Sequence, residues 1–291
     1  MEGFQTCYDR FREEVETYLR TLLPSGGRPY GRLQEAMGYS LLAGGKRVRP
    51  VLALAFCDAL GGDRTLALPL GCALELVHTY SLIHDDLPCM DDDDLRRGRP
   101  TCHKVYGEAM ALLAGDALQA EAFRLIASAE GLSGEQRSDA VLALAAACGA
   151  DGMVAGQVLD VYQLSDGIEG LRQLCSLKTG ALLGAAAALG CIAANASQEA
   201  RQQAAAYAGH IGLAFQIRDD MLDVIADQDE FGKPVGSDRA EGKRTFVDLL
   251  GLDGCADLVE QETAAAKAAV ASFPHNAFLL ELAVQLADRR K

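Results

Sequence analysis

No proline falls between Pro100 and Pro234. Nothing of that kind in residues 101–233 withholds a backbone donor or jams a preceding turn, so long helices can run there. The apolar pattern has the matching period. Phe4, Cys7, Tyr8, Phe11, Val15, Tyr18, Leu19 and Leu22 recur at spacings of three and four, which predicts a helix over 2–23 that PSGGRP ends. The same reading predicts helices over about 31–43, 49–60, 66–86, 106–130, 134–163, 168–195, 198–227, 254–271 and 276–290, and no strand. Between them stand GGD (61–63), SGE (133–135), the segment 227–242 and FPHN (273–276), which are turn-rich and too short to link domains. Runs such as AVLALAAACGA (140–150) are apolar nearly all round, as helices inside a large bundle are. Residues 1–291 are therefore predicted to form a single all-α domain.

Composition removes several classes of partner. Lysine plus arginine total 27 against 41 aspartates and glutamates, a net charge of −14, and no basic tract offers the surface that nucleic acid needs. Nine cysteines are scattered without a C-x-x-C pair, which argues against a disulfide framework or zinc knuckle and for a reducing cytoplasm. The N-terminus is acidic and lacks the order of a secretory signal. The most apolar stretch, 181–196, is shorter than the roughly 20 residues of a spanning helix, so no stable membrane insertion is expected.

The densest polar feature is HDDLPCMDDDDLRRGR (84–99), where an apolar helical run meets Asp85, Asp86, Asp91, Asp92, Asp93 and Asp94. A solvated acidic loop is one reading of such a run. A second cluster gives another. In FQIRDDMLDV (215–224), Asp219 and Asp223 are four apart, roughly 40° around a helix, and can face one cation together. Two carboxylate groups, with few histidines and no thiolate pair, select Mg²⁺ or Mn²⁺ over zinc and imply phosphate substrates. Asp85 and Asp91 converge only if the helix ends near Pro88 and turns back.

Anionic phosphates need cations beside the metals. Arg96 and Arg97 follow the first cluster, GGKRVRP (44–50) supplies Lys46, Arg47 and Arg49, and single lysines stand at 178, 233 and 243. GGK lacks the spacing of a nucleotide P-loop, and that reading is rejected.

These residues resemble the trans-type isoprenyl diphosphate synthases, and more narrowly the bacterial farnesyl diphosphate synthases. The resemblance is carried by GGKRVRP (44–50), ELVHTYSLIHDDLPCMDDDDLRRGRPTCH (75–103), LAGDAL (113–118), GQVLD (156–160), LKTGALL (177–183), FQIRDDMLD (215–223), GKPVGSD (232–238) and GKRTF (242–246), in the family's order. It implies a bundle around a deep central cavity, in a homodimer, with the aspartate motifs facing each other across the mouth. It implies that Asp85 and Asp91 ligate from one wall and Asp219 from the other, with Asp86, Asp220 and Asp223 supporting. The ions would be roughly three Mg²⁺ with substrate bound, or Mn²⁺ in their place. Arg96, Lys178, Lys233 and Lys243 would complete the charge around the allylic diphosphate. Lys46, Arg49, His78 and Arg97 would hold the diphosphate of isopentenyl diphosphate. Thr179, Gln216 and the Lys178 backbone would stabilise the allylic cation by their dipoles, and the released diphosphate would take the final proton.

Tyr80 stands one turn below the aspartates, either as ordinary helix packing or as the floor of the prenyl cavity. The resemblance favours the floor, which points to a farnesyl product, while plant-like geranylgeranyl synthases share the aspartate spacing without the aromatic residue. His84 reads as a structural hydrogen-bonding residue. Cys89 and Cys102 flank the motif but are poor magnesium ligands. A terpene cyclase is opposed by the second aspartate motif and the Lys46, Arg49, His78 set, and a non-catalytic subunit by both motifs being intact.

Overall fold

The computed structural model describes residues 3–23, 29–225 and 244–288. The chain forms α1 (Phe4–Leu22), α2 (Gly31–Leu41), α3 (Val48–Ala59), α4 (Arg64–Asp85), a hairpin of β1 (Leu95–Arg96) and β2 (Arg99–Pro100), then α5 (Cys102–Tyr106) and α6 (Glu108–Ala127). It continues through α7 (Gly134–Cys148), α8 (Met153–Val161), α9 (Gly167–Cys175), a π-helical turn (Ser176–Gly180), α10 (Ala181–Ala193), α11 (Gln198–Ile225), α12 (Phe246–Ala269) and α13 (Ala277–Ala287). The architecture is all-α, as the periodicity predicts. Phe11, Val15 and Leu19, spaced by four, are the buried stripe of α1. α4 is buried over most of its length against α3, α6 and α10. α11 packs on α12 and α10, and a second core cluster holds Leu171 of α9, Ile217 of α11 and Phe246 of α12.

Several predicted boundaries are corrected. The helix expected over 134–163 breaks between Cys148 and Met153. There Gly152 packs so tightly that a Cβ would lie 2.2 Å from the Ala147 carbonyl oxygen. The helix expected over 168–195 contains the π turn, whose flanking residues keep ordinary right-handed angles and so give no compositional signal. α12 begins at Phe246 rather than 254, because Thr245 and Asp248 form a reciprocal capping box. Gly251, at φ 68° and ψ 172°, is non-helical and kinks the element, so the stretch expected from 254 falls in the second of two helical pieces joined there. The two-residue strands, absent from the prediction, arise because Arg97 (φ 54°) and Gly98 (φ 73°) both adopt positive φ, the geometry of a tight hairpin turn.

The expectation that no stretch is long and apolar enough to span a membrane is also corrected. Three helical runs, 64–85, 134–161 and 167–193, reach that length and composition, the second only across the break between Cys148 and Met153 and the third across the π turn. A search for one uninterrupted apolar block misses them, because each mixes apolar residues with a few polar ones. The first is mostly buried in the bundle and the second mostly not.

The crossing of α10 over α3 is closest at Gly190, where a Cβ would sit 2.4 Å from the Ala53 carbonyl oxygen and 2.7 Å from Phe56 Cβ. Neither neighbour is the far end of a flexible side chain. Gly190→Ala is expected to destabilise the chain by about 1–3 kcal/mol through this overpacking. Chemical denaturation checks it, and an unchanged midpoint would mean that the helices sit further apart.

Candidate functional site

The first wall is built where α4 ends. Pro88 cannot continue the helix, and the chain turns back so that the Asp91 N–H donates to the Asp85 carbonyl at 2.9 Å. The two aspartates thus converge as their spacing requires. The Asp85 carboxylate accepts from Gln157 Nε2 of α8 at 2.8 Å. Its pKa is pushed up to about 6, chiefly by burial, with Asp91 and Asp86 adding to the rise against the opposing charges of Lys178 and Arg96. Asp86 faces differently. It accepts from Arg96 Nε at 2.6 Å, and Arg96 also reaches Asp93 at 3.2 Å. Asp86, Arg96 and Arg97 line a small cleft between α2, α4 and the hairpin.

The second wall is carried by α8, the π turn and α11. The wider π turn presents Lys178 and Thr179 together, and Lys178 Nζ is paired with Asp160 of α8. Gly156 permits this approach, since a Cβ there would lie 2.3 Å from the Lys178 backbone nitrogen. Thr179 Oγ1 donates to Gln216 Oε1 at 3.3 Å, and Gln216 Nε2 donates to Asp220 at 3.0 Å. The other Asp220 oxygen accepts the Phe246 N–H at 2.9 Å, which ties α11 to the start of α12. Asp223 is buried and Asp219 partly so. Lys233 and Lys243 lie outside the described residues.

Two cavities meet between these walls. One, of about 220 Å³, is lined by Asp91 from the first wall and by Asp160, Lys178, Thr179, Gln216, Asp220 and Arg244 from the other side. The second, of about 380 Å³, is lined by the polar Asp85, Gln157, Lys178 and Thr179 and by Tyr80, Met153, Val154 and Leu182, with more apolar than polar wall. Lys178 and Thr179 line both. Tyr80 is buried against His84, ring centres 5.7 Å apart. His84 Nε2 contacts the Leu112 carbonyl of α6 at 3.1 Å, in keeping with a structural role. Sequence reasoning missed Gln157 and Asp160. Both stand in GQVLD, but one acid in an apolar helix has no second carboxylate beside it to mark it.

Arg49 and His78 line the second cavity as well. Arg49 Nη1 lies 3.3 Å from His78 Nε2. A guanidinium can only donate, so Nε2 accepts, and this contact assigns the proton of the neutral ring to Nδ1. Burial, and then the nearby arginines with Arg49 first, push the His78 pKa well below the ordinary imidazole value. Arg97 donates to the Gly44 carbonyl, which places it on the loop that carries the exposed Lys46.

The donor set fits a hard divalent cation. Asp85, Asp91, Asp160 and Asp220 offer oxygen alone, and burial drives the thiol of Cys175, which also lines the first cavity, far above its ordinary pKa. Among the described residues no three metal-ligating side chains form a ready-made cage. An ion bound here would complete its shell with water and substrate oxygens, as magnesium does.

Residues 31–279 match the polyprenyl synthetase family. The chain is 49% identical over 226 residues to a farnesyl diphosphate synthase of Bacillus subtilis, covering 76% of each chain. It is 48% identical over 246 residues to a chloroplastic geranylgeranyl pyrophosphate synthase of Catharanthus roseus, covering 83% of this chain and 69% of that one. The crystal structure of an FPP/GFPP synthase from Zymomonas mobilis superposes with a TM-score of 0.86 at 38% identity, covering 96% of this chain and 97% of that one.

The depressed His78 pKa has a measurable consequence. His78 stays neutral in the fold while the unfolded chain takes up a proton below its ordinary pKa, so the group contributes stability above about pH 6.5 that is lost as pH falls. In His78→Gln the drop in unfolding free energy between pH 7.5 and pH 5 should shrink, by at most about 2 kcal/mol, the ceiling that one ordinary imidazole of the unfolded chain sets at pH 5. Equal drops in the two proteins would show that His78 titrates normally.

Proposed function

The chain belongs to the polyprenyl synthetase family and is a prenyltransferase, and from that premise we propose that it condenses isopentenyl diphosphate with dimethylallyl and then geranyl diphosphate, releasing farnesyl diphosphate and pyrophosphate. The observation that carries the reading is the junction of an acid-lined cavity and an apolar one at Lys178 and Thr179. An allylic diphosphate has those two characters, joined at the C–O bond that must break.

On this reading the diphosphate enters the acid-lined cavity and the prenyl tail the apolar one. Asp85, Asp91 and Asp219 would hold magnesium, with Asp86, Asp220 and Asp223 in support, and Asp160 would join them from α8. Bound there, the divalent ions supply positive charge to the departing diphosphate. Lys178, now paired with Asp160, turns toward the diphosphate and adds a cation to it. The C–O bond breaks with its electron pair leaving on the diphosphate. The Thr179 hydroxyl and Gln216 amide, already bonded to each other, orient their dipoles toward the allylic cation. The double bond of isopentenyl diphosphate then forms the new C–C bond. The resulting tertiary cation loses a proton to the released diphosphate, which restores a double bond. Arg49, His78, Lys46 and Arg97 hold the diphosphate of this second substrate, while Arg96 and the two lysines outside the described residues, Lys233 and Lys243, serve the allylic one.

Two further features belong to the proposal. Leu112 and Leu113 on α6 and Leu142 on α7 are large apolar side chains left exposed, Leu142 by 70%, which supports a homodimer joined through this face. The nine free thiols support a reducing compartment, the cytoplasm.

Turnover of the purified chain with Mg²⁺, isopentenyl diphosphate and each allylic starter tests the reading, with farnesyl diphosphate expected and chelation abolishing it. A geranylgeranyl product would replace the chain-length assignment, and no product would leave a non-catalytic subunit. On this reading Tyr80, which lines the apolar cavity and stands about 7.5 Å below Asp85 by the rise of five helical residues, closes it. Tyr80→Ala should therefore shift the main product to geranylgeranyl or longer on chromatography, and an unchanged farnesyl product would remove Tyr80 as the floor.

A further inference from the structure

Arg47 stands between the two cations of GGKRVRP yet cannot itself meet a ligand. Its side chain is fully buried. Nε donates to Glu16 of α1 at 2.8 Å, Nη1 to Glu75 of α4 at 2.7 Å, and Nη2 to the Leu41 carbonyl at the end of α2 at 2.6 Å. Its backbone is left-handed, φ 52° and ψ 35°, a conformation that costs a side-chain-bearing residue about 1–2 kcal/mol. Three directed bonds from three helices hold that strained residue in place. One residue earlier, the Lys46 carbonyl is held by the Tyr8 hydroxyl of α1, which donates to it at 2.6 Å.

The loop fixed in this way gathers the cations. Lys46 projects to the exposed side, and Arg49, in the first turn of α3, reaches His78. Arg97 arrives from the hairpin to donate to the Gly44 carbonyl. Gly45, at φ 131°, leaves the space that Arg97 fills, since a Cβ there would lie 2.7 Å from its Nη1. Glu75 adds a longer-range effect. Burial pulls the pKa of Arg49 and of Arg97 down, and the Glu75 carboxylate opposes that pull on both. α1 is firm enough for this task, because Phe4, Tyr8 and Phe11 all pack on Phe278 of α13, with ring centres 5.0, 6.3 and 5.2 Å apart.

We infer that α1 is part of the acceptor diphosphate's binding site, with Tyr8, Glu16 and Arg47 as positioning residues that set the loop 44–47 from behind and touch no substrate. This rests on the proposed function, in which Lys46, Arg49, His78 and Arg97 hold isopentenyl diphosphate. The effect is specific to one half of the reaction, because the allylic diphosphate binds in the other cavity and α1 contributes nothing to that lining.

Tyr8→Phe keeps the ring stack on Phe278 and removes a single hydrogen bond. The KM for isopentenyl diphosphate should rise about three- to tenfold, while kcat, the KM for the allylic diphosphate and the thermal midpoint stay at wild-type values. Arg47→Lys keeps the charge but loses the planar fork, and should raise the same KM by about tenfold or more. Glu16→Gln should fall between wild type and Arg47→Lys. If Arg47→Lys fails to fold, Tyr8→Phe decides. A Tyr8→Phe enzyme whose KM for isopentenyl diphosphate is unmoved, or whose two KM values rise together, would overturn the inference. Absence of turnover in the wild-type chain would instead overturn the proposed function.

Discussion

Like charge gathered in a partly dry space is the constraint around which this fold is arranged. Asp85 and Asp91 are brought together by the turn at Pro88, and Asp220 faces Asp91 across one cavity. Coulomb repulsion at such distances is large wherever water is scarce, so the partner each carboxylate keeps decides what it can do. Asp86 holds an arginine. Asp220 accepts from an amide side chain and from a backbone N–H. Asp85 receives one neutral amide bond from Gln157, which orients it but cancels no charge. Asp85 has its pKa raised by burial more than the nearby Lys178 and Arg96 charges lower it. Its remaining demand for positive charge is what a divalent ion carrying a diphosphate would satisfy.

Much of this was legible in the residues, because helical periodicity and proline placement report directly on backbone geometry. Pro88 forced the turn that lets Asp85 meet Asp91, and the spacing of Asp219 and Asp223 placed them on one face of α11. What escaped has a common cause. The π turn shifts the hydrogen-bond register by one residue without changing the backbone region, so no residue type announces it. Gly149 and Gly152 sit within an alanine-rich run whose period reads through them. Asp160 acquires its importance from Lys178, eighteen residues away, and becomes visible only once Gly156 lets α8 touch the π turn. Arg47 was visible as one cation among three. Its separate part follows from Glu16 and Glu75, which lie on other helices.

The cations therefore divide by what holds them. Arg47 is enclosed by two carboxylates and a carbonyl and has no remaining freedom. Among the described residues Lys178 is paired with one carboxylate, that of Asp160, on a flexible stem, and it lines both cavities. Arg49 is intermediate: its neighbour His78 is kept neutral, so nothing on that contact competes for its charge. Fixed cations give shape and exchangeable ones give binding, and a site for an anion needs both.

The arrangement of the two cavities also constrains the order of atoms in the proposed reaction. In that reaction the acid-lined cavity takes the diphosphate head with its ions and Lys178, and the cavity walled by Tyr80, Met153 and Leu182 takes the tail. The allylic carbon–oxygen bond is then confined to the neighbourhood of Lys178 and Thr179. Arg49 and His78 open onto the tail's cavity rather than the head's. On that proposal an acceptor held there by its own diphosphate would bring its double bond toward the allylic carbon through the passage that holds the tail. Head-to-tail joining, on this proposal, requires both anion sites to open onto one apolar passage. On the same proposal the Tyr80 ring, which rests against His84, would limit how many times the product returns as a substrate.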